Sequence, residues 1–350
     1  MNDYLDNARR NIQRAMNSSY HSLTEAASMA GTLATSTGFQ VLSRLMGLKV
    51  QVMPTSESPP NSPTPSTAEL DLQSTTTFTP DQIRLVSVVC GFPKDIAMYP
   101  DYVKGQFGED AWFRTSTSKA DALGVADGVG GWRVYGIDPG HFSRFLMRSC
   151  ERLAHSADFE STRPEQLLAR AYCNLLEQKQ PILGSCTACV LTLNRESGIL
   201  YAANIGDSGL LIIRDGAIVC RSLEQQHHFN TPYQLAVPPP GQGLNVLTDG
   251  PECAALLEFD MQPGDILILA TDGVYDNVSE ELLLQVLSHA AGVTDPVKLQ
   301  MYANSVALMA RSLSFNPNHE SPFTQNARRH NIDAPGGKPD DITVVLASVV

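Results

Sequence analysis

Two apolar runs that each end in Asp-Gly limit what this chain can become more than any other feature. The first is Leu123-Gly124-Val125-Ala126-Asp127-Gly128-Val129-Gly130-Gly131-Trp132. The second is Ile266-Leu267-Ile268-Leu269-Ala270-Thr271-Asp272-Gly273-Val274-Tyr275-Asp276-Asn277. A short run of Val, Ile, Leu and Ala bounded by turn residues reads as a strand buried on both faces. Each strand delivers a carboxylate at its end, and the glycines that follow let the backbone turn tightly and approach a ligand. One Asp-Gly is a common turn. The same device twice, each time after a buried strand, brings two carboxylates to one point, and like charges held that close need a cation between them.

With 350 residues, the chain is long enough for one large domain or two smaller ones, and 43% hydrophobic with 18% charged residues fits a folded, soluble protein. A net charge of −12 argues against non-specific nucleic-acid binding, which needs clustered Lys and Arg, and leaves an Asp-rich metal site open. No apolar run is long enough to span a bilayer. The seven cysteines are odd in number and scattered, with Cys90, Cys189 and Cys220 inside apolar runs, so they read as free thiols in a reducing compartment. Cys186 and Cys189 have CxxC spacing but sit in a β-rich run without a second pair, which reads as core. Nothing in the sequence addresses oligomeric state; a monomer is the expectation.

Residues 1–53 form an amino-terminal arm that is Ser-rich, bears Arg9, Arg10, Arg14 and Arg44, and is poor in acids. Such a start resembles an organelle transit segment; Asp3 and Asp6 speak against it, and a surface helix or a disordered arm fits nearly as well. Residues 54–80 are Pro, Ser and Thr with little to bury, which predicts a disordered linker. The folded domain is then 81–350. Within it strands are predicted at 85–90, 111–113, 123–127, 187–193, 200–204, 210–214, 218–219, 266–270 and 342–349. Helical spacing marks Phe142, Phe145, Leu146, Ser149 and Leu153, and again Leu167, Leu168, Ala171 and Leu175. Further helices are predicted after Ser279 and over 296–311. Arg214-Asp215-Gly216-Ala217 reads as a hairpin turn. Residues 225–247 read as a long surface excursion, 316–339 as a polar segment, and Asp249-Gly250 as a plain turn. Strands in hairpins with helices in two blocks predict an α+β sandwich rather than alternating βαβ units.

The acids at predicted strand ends are Glu109, Asp110, Asp127, Asp207, Asp272, Asp276, Asp340 and Asp341, none with a neighbouring Cys or His at ligand spacing. An all-oxygen set selects Mg²⁺ or Mn²⁺. Paired hard ions activate water and clamp phosphoryl oxygens, which makes a phosphate ester the natural substrate.

The ordered blocks Gly108-Glu109-Asp110-Ala111, Ala126-Asp127-Gly128-Val129-Gly130-Gly131-Trp132, Asn204-Ile205-Gly206-Asp207-Ser208-Gly209, Ala270-Thr271-Asp272-Gly273-Val274-Tyr275-Asp276-Asn277 and Gly336-Gly337-Lys338-Pro339-Asp340-Asp341-Ile342-Thr343-Val344 resemble those of the metal-dependent serine/threonine phosphatases, the type 2C or PPM family. Gly130-Gly131-Trp132-Arg133 and Glu224-Gln225-Gln226-His227 are similar to its PTC-seven-like branch, which is associated with mitochondria. The resemblance implies a four-layer αββα sandwich of two mostly antiparallel sheets flanked by helices, with two metal ions in a cleft at one edge. It implies that Asp127 bridges both ions and that the Gly128 carbonyl binds one. Asp272 and Asp340 complete the other shell, with Glu109 and Asp110 as direct or water-mediated ligands. Asp207 and Asp276 match the acids of a weaker third ion. A metal-activated water then attacks phosphorus in phosphoserine or phosphothreonine of phosphoprotein substrates, with no covalent phosphoenzyme. Mitochondrial matrix is the expected location and cytoplasm the alternative.

Two departures from the family pattern matter. Where many members carry a His proposed as general acid, this chain has Val129, so a metal-bound water, or no residue at all, is expected to protonate the leaving oxygen. Where they carry a phosphate-gripping Arg, the nearest cation is Lys104, read either as phosphate clamp or as a solvated side chain. Arg133 is read either as facing substrate or as a surface ion pair. His227 and His228 read as a polar loop, and Trp112 and Trp132 as packing residues. Two other functions stay open on these residues: a catalytically silent protein of the same fold that binds partners, and a dinuclear phosphatase of small phosphomonoesters.

Overall fold

A computed structural model describes residues 83–95, 105–240 and 246–350. The arm 1–53, the linker 54–80 and Lys104 lie outside the described residues.

Two five-stranded sheets carry the fold, and every strand pairing within them is antiparallel. The first runs in the order β1 (Leu85–Phe92), β14 (Ile342–Val349), β13 (Ile266–Ala270), β7 (Gly209–Arg214) and β8 (Ala217–Arg221). The second runs β12 (Ala255–Asp260), β6 (Ile199–Ile205), β5 (Ala188–Asn194), β3 (Ala120–Ala126) and β2 (Ala111–Ser116). Short strands β4 (Gly184–Cys186) and β11 (Leu235–Val237) pair with each other, as do β9 (Gln226–His228) and β10 (Thr231–Pro232).

The unbroken apolar runs follow from burial on both faces. In β3, Leu123 and Val125 enter the core between the sheets with Leu191 of β5, Leu267 and Leu269 of β13 and Val345 of β14. The alternate residues Ala122 and Ala126 face helices α1 (Gly140–Ala154) and α2 (Pro164–Leu176), meeting Phe142, Leu146 and Leu168. Period-two geometry thus splits one hydrophobic strand between two cores, and each fully buried Leu or Phe stabilises the fold by roughly 2 kcal/mol relative to exposure. On the far side α5 (Pro296–Ser314) covers β1 and β14. The layers are therefore helix, sheet, sheet, helix.

Local signals set the ends. Ser279 caps α4 (Glu280–Leu287) by accepting from the Leu282 amide, and Asp295 caps α5 by accepting from the Val297 amide ahead of Pro296. The β7–β8 turn has Asp215 and Gly216 both at positive φ, 52° and 77°, the conformation of a two-residue hairpin loop.

Three segments differ from the sequence reading. Strand β12 was not expected, because its exposed face leaves Leu256 in solvent and only alternate residues half-buried. The stretch 225–247 is not a surface excursion throughout, since β11 buries Leu235 and Ala236 against β4. The polar segment 316–339 contains α6 (Pro322–Arg329), whose buried face is only Thr324 and Ala327. Its start is fixed by Ser321, which accepts from the Thr324 amide at 3.0 Å and donates to the Gly336 carbonyl at 2.7 Å. Among the described residues no helix is long and apolar enough to cross a membrane.

Candidate functional site

Strands β3 and β13 face each other across the inter-sheet core, and both have acids at or just beyond their two ends. At the start of β3, Asp121 is buried and paired with Arg195 at 2.7 Å; it also accepts from Ser116 and the Leu85 amide. Just before β13, buried Asp265 takes Arg214 in a bidentate pair at 2.7 Å. Both are satisfied structural carboxylates. At the other end of the same strands lie Asp127 and Asp272, and there no arginine meets either carboxylate among the described hydrogen bonds and ion pairs.

Asp127 follows Ala126 directly, and its main chain is fixed by Thr187. The Asp127 amide donates to Thr187 Oγ1 at 3.1 Å, and the Asp127 carbonyl accepts from the Thr187 amide at 2.9 Å. Burial pushes the Asp127 carboxyl well above the carboxylate range, and Asp272, Asp110, Asp340 and Asp207 push it further. Asp272 opens a single helical turn, α3 (Asp272–Tyr275), so the second carboxylate sits at a strand-to-helix junction rather than a bare strand end. Gly273 behind it permits close approach to the final strand, since a Cβ there would lie 2.0 Å from the Asp341 carbonyl oxygen.

Glu109 and Asp110 reach the cluster from the loop before β2. Asp110 is buried; its Oδ2 accepts from Thr271 Oγ1 at 2.8 Å while Oδ1 has no partner. Burial, then Asp341, raises its pKa well above the ordinary value against the hydrogen bond of Thr271. Glu109 is ion-paired with Arg133, and burial still raises its pKa. Arg133 thus forms an ion pair while keeping its side chain one-third exposed, at 34%. Asp207 lies after β6 with Oδ1 unpartnered, raised by burial and by Asp272.

Lys338 sits among these acids, and the sequence reading gave it no role. Its ammonium bonds Asp272, reaches Asp276 at 2.6 Å and Asp340 at 3.4 Å, and is only 16% exposed. Burial raises Asp272, but Lys338, together with hydrogen bonds from Asp127 and the Gly273 backbone, holds that carboxyl below its ordinary value. Burial lifts Asp276 to about 7 and Asp340 to about 6 despite the same ammonium. The available signal was a lone cation within Gly-Gly-Lys-Pro-Asp-Asp, two residues before an acid already singled out. Asp341, grouped with the metal acids by sequence, is turned the other way. It accepts from the amides of Lys94 and Glu109, the latter at 2.6 Å, and so clamps the loop that carries Glu109 and Asp110.

Gly128 packs tightly, with its Cβ position 2.9 Å from the Glu109 carbonyl oxygen, and bridges to Cys186. His227 is held by Asp249 at 2.9 Å and stacked on Tyr233, while His228 is exposed; both lie in the short strand β9 rather than in the loop the sequence suggested. Trp132 is buried, donating to Ser185 Oγ at 2.6 Å, and Trp112 donates to the Gly105 carbonyl at 2.8 Å; both pack. Cys186 and Cys189 are buried free thiols.

Among the described residues no three acidic, His or Cys side chains converge as a closed ligand set. The cluster is nonetheless short of positive charge. Asp110, Asp207 and Asp272 each hold a buried oxygen with no donor, and all such oxygens are hard. The donor set fits hard divalent cations.

Comparison with known proteins gives concordant findings. The family model described as stage II sporulation protein E (SpoIIE) matches residues 123–350. A Homo sapiens protein phosphatase PTC7 homolog is 47% identical over 265 residues, 76% of this chain and 87% of that protein. The Xenopus laevis homolog is 48% identical over 266 residues, 76% and 89% of the two chains. The X-ray structure of the photosystem II phosphatase PBCP superposes with a TM-score of 0.64 at 27% identity, covering 76% of this chain and 99% of that one.

Proposed function

The chain belongs to the PPM, or type 2C, protein phosphatases, among the PTC7 homologs, and from that membership we propose that it hydrolyses phosphoserine and phosphothreonine in protein substrates with two Mg²⁺ or Mn²⁺ ions and a weaker third. The observation that carries the metal reading is the set of buried, donorless oxygens on Asp110, Asp207 and Asp272 around a carboxyl, Asp127, that four other acids repel. When bound, such ions supply an activated water and offset phosphoryl charge.

The chain's own residues hold and orient. Asp127, the Gly128 carbonyl, Asp272 and Asp340 would hold the two ions, with Asp110 and Glu109 beside them, and Asp207 with Asp276 would hold the third. Asp341 fixes the Glu109–Asp110 loop through backbone amides, and Thr271 orients Asp110. Arg133, steadied by Glu109 and partly exposed, meets the incoming phosphate. With Val129 after Asp127-Gly128 and His227 engaged by Asp249, the leaving oxygen takes its proton from water.

The test is phosphate release by the full chain from a phosphothreonine peptide and from p-nitrophenyl phosphate, in Mn²⁺, Mg²⁺ and EDTA. Metal-dependent release that favours the peptide supports the proposal. Equal rates in EDTA defeat the metal reading; preference for the small ester moves the substrate class. No turnover by a folded chain that binds Mn²⁺ leaves a silent binding protein.

We also propose the mitochondrial matrix as the site of action, with the cytoplasm as the alternative, on the Arg-bearing, acid-poor composition of residues 1–53. Fused to a fluorescent reporter, that segment should direct it to mitochondria. A diffuse cytosolic signal would reject the idea.

A further inference from the structure

We propose that Lys338 is a built-in cation of the acid cluster: its ammonium holds Asp272, Asp276 and Asp340 together until a divalent ion takes them over, and leaves them when it does. The inference rests on the metal reading above. Three carboxylates meet one ammonium here, with Asp276 at 2.6 Å and Asp340 at 3.4 Å, and two of those acids, Asp272 and Asp340, are the ones the metal needs. A divalent ion and an ammonium cannot both be held by the same lone pairs of Asp272 and Asp340, so binding one weakens the other.

The backbone around Lys338 is fixed, which confines the exchange to the side chain. Buried Asn277 grips the residue on both sides, accepting from the Lys338 amide at 2.8 Å and donating to the Lys338 carbonyl at 2.9 Å. Gly337 just before it lies against the end of α5, where a Cβ would come within 2.1 Å of the Leu313 carbonyl oxygen. On this anchored main chain the ammonium rides a flexible four-carbon stem. Where it meets the acids, Nζ already lies over the Phe323 ring, 5.4 Å from its centroid, and that ring is braced by Phe229 at 5.2 Å. Released from the carboxylates, the ammonium keeps an aromatic face beside it, so the exchange needs only rotations along its own stem. The ammonium therefore does two opposite things. It offsets buried like charge in the metal-free protein, and it raises the concentration of metal needed to fill the site.

The test compares the metal-stripped full chain with Lys338→Met, using Mn²⁺ titration calorimetry and melting in EDTA. The variant should bind Mn²⁺ about tenfold more tightly or better. In EDTA it should melt roughly 5 °C lower, and Mn²⁺ should raise its melting temperature by more than it raises that of the wild type. A folded variant that binds Mn²⁺ no more tightly than wild type overturns this inference alone. A wild-type chain that binds no Mn²⁺ overturns the metal reading and this inference with it. Should Lys338→Met fail to fold, reductive methylation of the wild type read by mass spectrometry decides. Lys338 should react faster in Mn²⁺ than in EDTA; an equal or slower rate overturns the proposal.

Discussion

Asp127→Asn lowers turnover of a phosphothreonine peptide by about 10³-fold or more and leaves the metal-free fold intact or firmer. The two halves of that result have one cause. Asp127 is placed by its main chain, through Thr187, and not by its carboxylate, so the amide variant keeps every described bond that positions the residue. Its carboxyl is raised by burial and then by Asp272, Asp110, Asp340 and Asp207, so in the metal-free protein the charge is a burden that a neutral amide relieves. A group that weakens the fold is retained for what it binds. Asp121, six positions earlier on the same strand, is the matched control. Its carboxylate pairs with Arg195, and Asp121→Asn should destabilise the protein by about 3 kcal/mol while the remaining folded enzyme turns over normally. Kinetics and thermal melting in EDTA, run on both variants, check the pair. Asp127→Asn activity within tenfold of wild type would show that the carboxylate is not part of the chemistry.

The strand ends were legible because burial on both faces writes itself into sequence as an unbroken apolar run, and the run stops where the chain must turn. Thus β3, β13 and β14 and their terminal acids stand out from composition alone, and the satisfied Asp215-Gly216 turn is separable from Asp127-Gly128 by the hairpin it joins. What stayed hidden was structure held by few apolar residues. Helix α6 buries Thr324 and Ala327 only, and β12 shows alternation with an exposed Leu256, so neither rises above its polar surroundings. The site divides in the same way. Residue type and order marked the acids, but type cannot say which way a carboxylate points. Asp340 faces Lys338 while its neighbour Asp341 faces the amides of Lys94 and Glu109. Lys338 itself was hidden because a cation in a surface-like loop carries no pattern until the fold surrounds it with Asp272, Asp276 and Asp340.

In EDTA the chain loses stability as the pH rises from about 5 to about 8, and saturating Mn²⁺ removes or reverses that slope. The direction follows from the acids. Asp276 is raised from 3.8 to about 7, Asp340 and Asp341 to about 6, and Asp110, Asp127 and Asp207 well above the ordinary value. A carboxyl raised by folding binds more protons in the folded than in the unfolded state at intermediate pH. Its favourable contribution is complete below the unfolded pKa and is lost as pH climbs through the folded one. Asp272, held low by Lys338 against its own burial, works the other way, losing its contribution as pH falls through its folded value, and it is one group against six. Lys338 is raised well above 10.5 by those acids despite burial, so its titration lies outside the window. One unit of displacement corresponds to about 1.4 kcal/mol. Asp276 alone, moved from 3.8 to about 7, contributes up to about 4 kcal/mol, and with Asp272 opposing, a net loss of at least roughly 2–4 kcal/mol, or about 5–15 °C in melting temperature, is expected. Mn²⁺ replaces the protons on the same oxygens, and its affinity grows as the carboxyls ionise, so the metal-bound protein gains where the metal-free one loses. Melting curves across this range with and without Mn²⁺ check both arms. A metal-free melting temperature that is flat or rises with pH would mean that the acids are already balanced without a divalent ion.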